Sequence, residues 1–103
     1  MFQHPIISKM YNNDPFSQWM GIERIAEAEG YCKLRMTIRS EMCNGFNICH
    51  GGIIFSLADS CLAFAANSRG NQAVSIESSI SNTAPLLVDD IIIAESTEMN
   101  STK

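Results

Sequence analysis

Within the apolar stretch Gly51–Ala66, GGIIFSLADSCLAFAA, the polar side chains in the body are Ser56, Asp59 and Ser60. Their i, i+3, i+4 spacing places them on one narrow stripe if the stretch is helical. A carboxylate among Ile53, Phe55, Leu57, Leu62 and Phe64 is costly to bury unless it is paired, hydrogen-bonded or protonated, and acid–base groups arise at such places. Asp59 is then either such a group or a structural carboxylate capping a neighbouring backbone. The stretch opens on His50-Gly51-Gly52. Free N–H groups at a helix start, beside glycines that let a substrate approach, suit a developing negative oxygen. Taken alone, the tripeptide reads first as a flexible turn with an exposed histidine. Along one helix Gly51 and Asp59 stand about 12 Å apart, too far for both to touch one reacting carbon. Two copies with these helices antiparallel across a two-fold axis would bring Asp59 of one to Gly51 of the other, giving two equivalent composite sites.

The remaining reactive side chains point elsewhere. Cys32, Cys43, Cys49 and Cys61 include no C-x-x-C, and MFQHPIISKMY lacks a secretory pattern, so reduced thiols in a cytoplasmic protein are expected. Cys43, Cys49 and His50 find no fourth ligand at finger-like spacing, and adjacent Cys and His side chains diverge, so no metal is expected. A cysteine nucleophile is the competing enzymatic chemistry. Cys49 lies close to a helix start, which can lower a thiol pKa, whereas Cys61 falls on a different helix face from Asp59. No base faces either thiol, and buried or incidental cysteines are the simpler expectation. Seven Lys and Arg against eleven Asp and Glu, a net charge of −4 and no basic run disfavour nucleic acid as a partner. The apolar stretch is shorter than the ~20 residues of a membrane span and carries Asp59 at its centre, so no membrane segment is expected.

These groups must be positioned by a small frame. The 103 residues, 46% hydrophobic and 17% charged, describe one globular domain over 1–103 with a thin core, for which help from a partner subunit is reasonable. Asp14-Pro15 with Gly21 signals a short helix, with Phe16, Trp19 and Met20 sharing a face. The pattern from Ile22 to Ala28 is weak and allows a strand, and Glu29-Gly30 reads as a turn. Tyr31–Arg39 alternates, with Cys32, Leu34, Met36 and Ile38 on the inner side. Glu41–His50 has no period and is expected to be an irregular loop. The long helix runs from Gly51 or Gly52 to a stop between Asn67 and Gly70, with Gly70 left-handed. Val74–Ser81 alternates as a second strand, Pro85 breaks the pattern, and Asp90–Thr97 reads as a third. A helix apolar on nearly every side needs wrapping, and a curved antiparallel sheet supplies it, giving an α+β fold. So few strands leave the helix partly uncovered and an edge open, which points to dimerisation or to further strands beyond Lys103.

Asn44-Gly45, then Cys49-His50-Gly51-Gly52, then Leu57-Ala58-Asp59, with Asn67-Ser68-Arg69-Gly70 closing the helix, resemble the hotdog-fold acyl-CoA thioesterases of the phenylacetate-degradation (PaaI) type. The resemblance runs over essentially the whole chain, and its most specific part is the N-G-x4-H-G-G-x6-D spacing. It implies a hotdog fold, in which a five- or six-stranded antiparallel sheet wraps one long helix, and homodimers that assemble into homotetramers. It implies hydrolysis of an acyl-CoA substrate, aryl-acetyl or medium-chain, without metal or organic cofactor. By that resemblance Asp59 is the nucleophile or the base that activates water. Gly51 donates its N–H to the oxyanion, His50 polarises or orients the carbonyl, and Asn44 holds the water or the carboxylate. Gly52 leaves room for the substrate, Ser75 falls where some relatives place a helper hydroxyl, and Arg69 is a candidate phosphate contact among the cations Lys33, Arg35, Arg39 and Arg69. A family of this kind usually continues through two further strands, so a C-terminally incomplete chain is expected. Two alternatives stay open: an acyl-CoA-binding hotdog module without hydrolysis, and a hotdog hydratase or dehydratase, for which the helix offers no His–Glu pair.

Overall fold

The computed structural model describes residues 2–70, 76–80 and 85–98. In chain order these form α1 (Pro5–Asn12), α2 (Pro15–Trp19), β1 (Glu23–Ala28), β2 (Tyr31–Thr37), a 3-10 turn (Ser40–Met42), α3 (Gly51–Asn67), β3 (Ile76–Ile80) and β4 (Ile91–Glu98). The four strands make one antiparallel sheet in the order β1-β2-β4-β3, with α3 packed across β2, β3 and β4. This is the α+β arrangement of one long helix against an antiparallel sheet that the patterning predicts. Among the described residues no helix is long and apolar enough to cross a membrane.

Local chemistry explains most boundaries. The Asp14 carboxylate accepts the Ser17 N–H at 3.1 Å and Pro15 occupies the first position of α2, as expected. Of the three residues expected on one face, Phe16 and Trp19 stack with ring centroids 5.8 Å apart and are each nearly half exposed, whereas Met20 is buried. In the β1–β2 hairpin, Gly30 adopts φ +74°, and its amide donates to the Ser68 hydroxyl at 2.6 Å. Gly70 ends the long helix region at φ +80°, the left-handed stop read from the sequence.

The inner face of β2 supplies Cys32, Leu34 and Met36, and that of β4 supplies Ile92 and Ala94, all essentially buried. Leu57, Cys61, Phe64 and Ala65 of α3 close on them. Full burial of a Leu or Phe contributes roughly 1.5–3 kcal/mol, so this layer carries the helix–sheet contact. On the outer side, the Tyr31 hydroxyl donates to the Glu95 carboxylate at 2.5 Å across the β2–β4 pair. Burial, followed by that carboxylate, pushes the phenol up to about 12. A folded-state value above the unfolded one stabilises fully below pH ~10, and the stabilisation is lost as pH rises through about 12. Ultraviolet titration is expected to show a phenolate forming near that upper value, moving down in Glu95→Gln; an unchanged transition there would refute the pairing.

Candidate active site

The long helix presents a polar stripe to a cleft of about 630 Å³. Phe16, Phe55 and Leu62 form its apolar wall, and Asp14, Asp59 and Ser60 bring oxygen atoms to it. Asp59 is exposed on this open side of α3, so in the single chain it is not the buried carboxylate among apolar groups that the sequence suggests. Phe55 beside it is 77% exposed. The helix is therefore covered by the sheet on one side only, in keeping with the expectation that so few strands leave it partly bare.

The other two members of the stripe are engaged. Ser56 donates its hydroxyl to the Gly52 carbonyl at 2.7 Å, a bond back along the helix. Ser60 shares a hydrogen bond of 2.8 Å with Ser17, whose hydroxyl donates at 2.6 Å to the Asp14 carboxylate. Asp14 thus caps α2 and also anchors a chain of oxygens reaching α3. Sequence reading finds Asp14 only as a cap and does not find Ser17 at all. Its contact spans 43 positions, and the D-P-F-S run gives away only the local half.

At the head of α3, His50 occupies the N-cap position with extended backbone but makes no side-chain capping bond. Its imidazole side is exposed, and the first-turn N–H groups of Gly51 and Gly52 lack intrahelical partners by the geometry of a helix start. A Cβ added at Gly51 or Gly52 would meet nothing within 4 Å in this chain. Asn44 sits in the preceding turn, where its side-chain oxygen accepts from Phe46 N at 2.9 Å and Ile48 N at 3.2 Å. That oxygen shapes the loop, which leaves the side-chain amide nitrogen as the donor available to a ligand. The predicted irregular loop is in fact tied into a short turn by a bridge between Cys43 and Cys49.

Arg69 lies at the far end of α3, where Nε donates to Glu98 at 2.7 Å and Nη1 to Glu29 at 3.3 Å. Two carboxylates hold the guanidinium that the sequence offers to a phosphate. Arg35 is likewise paired with Glu23, and Arg39 donates to the Trp19 carbonyl while lying 4.8 Å from its ring centroid. Ser75 lies outside the described residues. Burial, then Cys43, pushes the Cys49 thiol up, opposite to the effect expected of a helix start, and Cys61, whose thiol pKa the Cys32 side chain lowers, is fully enclosed in the core. Cys61, on the buried face of α3, donates to the Cys32 carbonyl at 3.3 Å. That neighbour, together with burial, pushes the Cys32 thiol well up.

A helix wrapped by an antiparallel sheet, with an uncapped glycine-rich head and an acid on its open face, is the layout of a hotdog domain. Residues 46–103 match the model of the Thioesterase superfamily, and the chain belongs to that family. It is 40% identical over 85 residues to the acyl-coenzyme A thioesterase PaaI of Escherichia coli, an alignment covering 82% of this chain and 61% of that protein. The chain spans about three fifths of the length of the curated relatives it matches. The solved structure of the E. coli PaaI protein superposes with a TM-score of 0.68, covering 92% of this chain and 91% of that one at 28% identity in the structural alignment. A mutant structure of the phenylacetic acid degradation protein PaaI from Thermus thermophilus gives 0.71 at 29% identity, covering 87% of this chain and 77% of that one.

Proposed function

We propose that this chain forms a thioesterase domain that hydrolyses acyl-CoA thioesters, with aryl-acetyl or medium-chain acyl groups as substrates. The observation that carries it is the pairing on one open side of α3 of an exposed carboxylate, Asp59, with an uncapped N-terminus at Gly51. The role is that of the E. coli relative named as an acyl-coenzyme A thioesterase. Asp59 either attacks the thioester carbonyl or takes a proton from the water that does. The carbonyl π electrons move onto oxygen, and the Gly51 N–H donates a hydrogen bond to the oxyanion so formed, with His50 orienting the group and Asn44 holding the nucleophilic partner. Collapse breaks the C–S bond, and the CoA thiolate leaves and is protonated; where Asp59 is the nucleophile, water then hydrolyses the acyl–Asp59 anhydride, releasing the acid and restoring the carboxylate. A positioned acid–base group contributes ~10²–10⁴-fold and an oxyanion donor ~10²–10³-fold, sufficient for an already reactive thioester without metal or cofactor.

About 12 Å of helix separates Gly51 from Asp59, so the site is completed by a second copy. The open side of α3, where Phe55 is bare and the Gly51 and Gly52 positions meet empty space, supports a homodimer there and a homotetramer beyond it. Four cysteines without a C-x-x-C spacing support a cytoplasmic location for the enzyme. Thiol release from a panel of phenylacetyl-CoA and medium-chain acyl-CoA esters tests the activity. Saturable binding with no thiol released would instead favour a binding module.

Gly51→Ala separates site from scaffold. Nothing in the chain touches the new methyl, and Ala is the better helix former, so stability is expected to hold or rise by up to ~1 kcal/mol. Turnover is expected to fall at least ~10-fold, because the methyl intrudes where substrate and partner meet the helix head. Parallel thermal melts and thiol-release rates decide it, and full activity in the variant would remove Gly51 from the site.

A further inference from the structure

The turn that carries Asn44 is closed by one antiparallel bridge, Cys43 opposite Cys49. Its hydrogen bonds flank the pair and do not pass between its members: Asn44 N–H donates to the Ile48 carbonyl and His50 N–H to the Met42 carbonyl, each at 2.8 Å. The amides of the two cysteines themselves turn away, Cys43 to the Ser40 carbonyl at 3.0 Å and Cys49 to the Leu86 carbonyl at 2.7 Å. This is a non-hydrogen-bonded cross-strand pair, in which facing Cα atoms stand ~4.5 Å apart and side chains leave the same face. Disulfides accept Cα separations of about 4.4–6.8 Å, so rotation of the two side chains brings the sulfurs together with the backbone in place.

Both thiols are present and free. Each makes only a long contact to a carbonyl, Cys43 to Arg39 at 3.7 Å and Cys49 to His50 at 3.5 Å, and sulfur is a weak donor. Cys43 is half-buried and offers a reagent its entry point, while Cys49 opposite it is buried at 6% exposure. Cys32 and Cys61, in contrast, are both fully enclosed in the core.

We propose that Cys43 and Cys49 are a modification site: they form a reversible internal disulfide that locks the turn bearing Asn44. A low-molecular-weight disulfide such as oxidised glutathione is the oxidant. The Cys43 thiolate attacks one of its sulfurs and expels a glutathione thiolate. The Cys49 thiolate then attacks the Cys43 sulfur of the mixed disulfide and expels the second. Two protein thiols are oxidised, one glutathione disulfide is reduced to two glutathione thiols, and the two protein protons end on those thiols. The bond stands independently of the thioesterase reading; only the bearing of the locked turn on catalysis, through Asn44, rests on that reading.

The whole protein, incubated with oxidised glutathione, is digested without reduction and mapped by mass spectrometry. The Cys43–Cys49 linked peptide is expected, reversed by dithiothreitol and absent from Cys43→Ser. Cys49→Ala, which removes the resolving thiol, is expected to accumulate the glutathione adduct on Cys43. Amide exchange across Asn44–Ile48 is expected to slow at least ~10-fold in the oxidised wild type, because the cross-link removes opening of the turn. A glutathione adduct that persists on wild-type Cys43, an intermolecular Cys43 cross-link, a Cys32–Cys61 bond in its place, or unchanged exchange across the turn would each overturn the proposal. Protein that forms the bond when oxidised but, once reduced, releases no thiol from acyl-CoA would count against the proposed function alone.

Discussion

Asp59→Asn is expected to lower turnover of acyl-CoA by ~10²–10⁴-fold while leaving the folded structure intact. The carboxamide keeps the shape of the side chain but can neither take a proton from water nor form an acyl intermediate. Among the described residues no ion pair or hydrogen bond engages Asp59, and it is exposed on the open side of α3. Its loss therefore unpairs nothing, and a stability change within ~0.5 kcal/mol is expected. Thiol-release rates beside urea titrations test both halves. A variant that retains wild-type turnover would sink the assignment. The same residue separates two chemical routes. In a single turnover in heavy-oxygen water, label in the Asp59 carboxylate shows that this group attacked the carbonyl and that water opened the resulting anhydride at the Asp59 carbon; trapping the acyl–Asp59 anhydride with hydroxylamine detects the same route when water opens it at the acyl carbon.

Reading of the site from sequence succeeds where chemistry is local and stops where a contact is distant. The Ser56, Asp59, Ser60 stripe and the His50-Gly51-Gly52 head follow from helical spacing, and the structure keeps them on one helix. The exposure of Asp59 does not follow, because apolar neighbours along a chain do not say which of them the sheet covers. Arg69 carries no local mark of its partners, since Glu29 and Glu98 reach it from the β1–β2 turn and the end of β4. The same division runs through the fold. β2 alternates cleanly, and Cys32, Leu34 and Met36 all turn inward. In β1 the alternation is blurred because the register shifts between Arg24 and Ala26, and because its buried position is a glutamate, Glu27. Helix α1 goes unread for a related reason. Pro5 sits in its first turn, but its cap is the ring nitrogen of His4, donated to by Ile6 N–H at 3.2 Å, in place of the usual Ser, Thr, Asp or Asn.

Glu27 is where that missed helix is held, and Glu27→Ala is expected to destabilise the protein by about 3–5 kcal/mol. Its side chain is 1% exposed and its partner Arg24 8%. One oxygen accepts the His4 amide at 2.7 Å and Arg24 Nη2 at 2.8 Å, and the other accepts Arg24 Nε. Arg24 in turn donates to the Ser8 hydroxyl at 2.8 Å and lies over the Tyr11 ring, so a single ion pair fastens both ends of α1 to β1. The Glu27 carboxylate raises the Arg24 pKa, against the opposing effect of burial, and truncation leaves a guanidinium in the same place without that compensation. The cost is then chiefly that of an orphaned buried charge and not of a lost contact. Removing the charge as well discriminates the two: Arg24→Leu with Glu27→Ala is expected to recover much of the loss, which a double-mutant cycle of urea midpoints measures. Additive losses would refute the pairing as the cause. Because α1 leads directly into the Asp14 cap, and Asp14 reaches Ser60 through Ser17, the single variant is also expected to loosen the Phe16 wall of the cleft. That effect should appear as a higher KM in the folded fraction, with kcat far less affected than in Asp59→Asn, since the acid and the helix head remain in place.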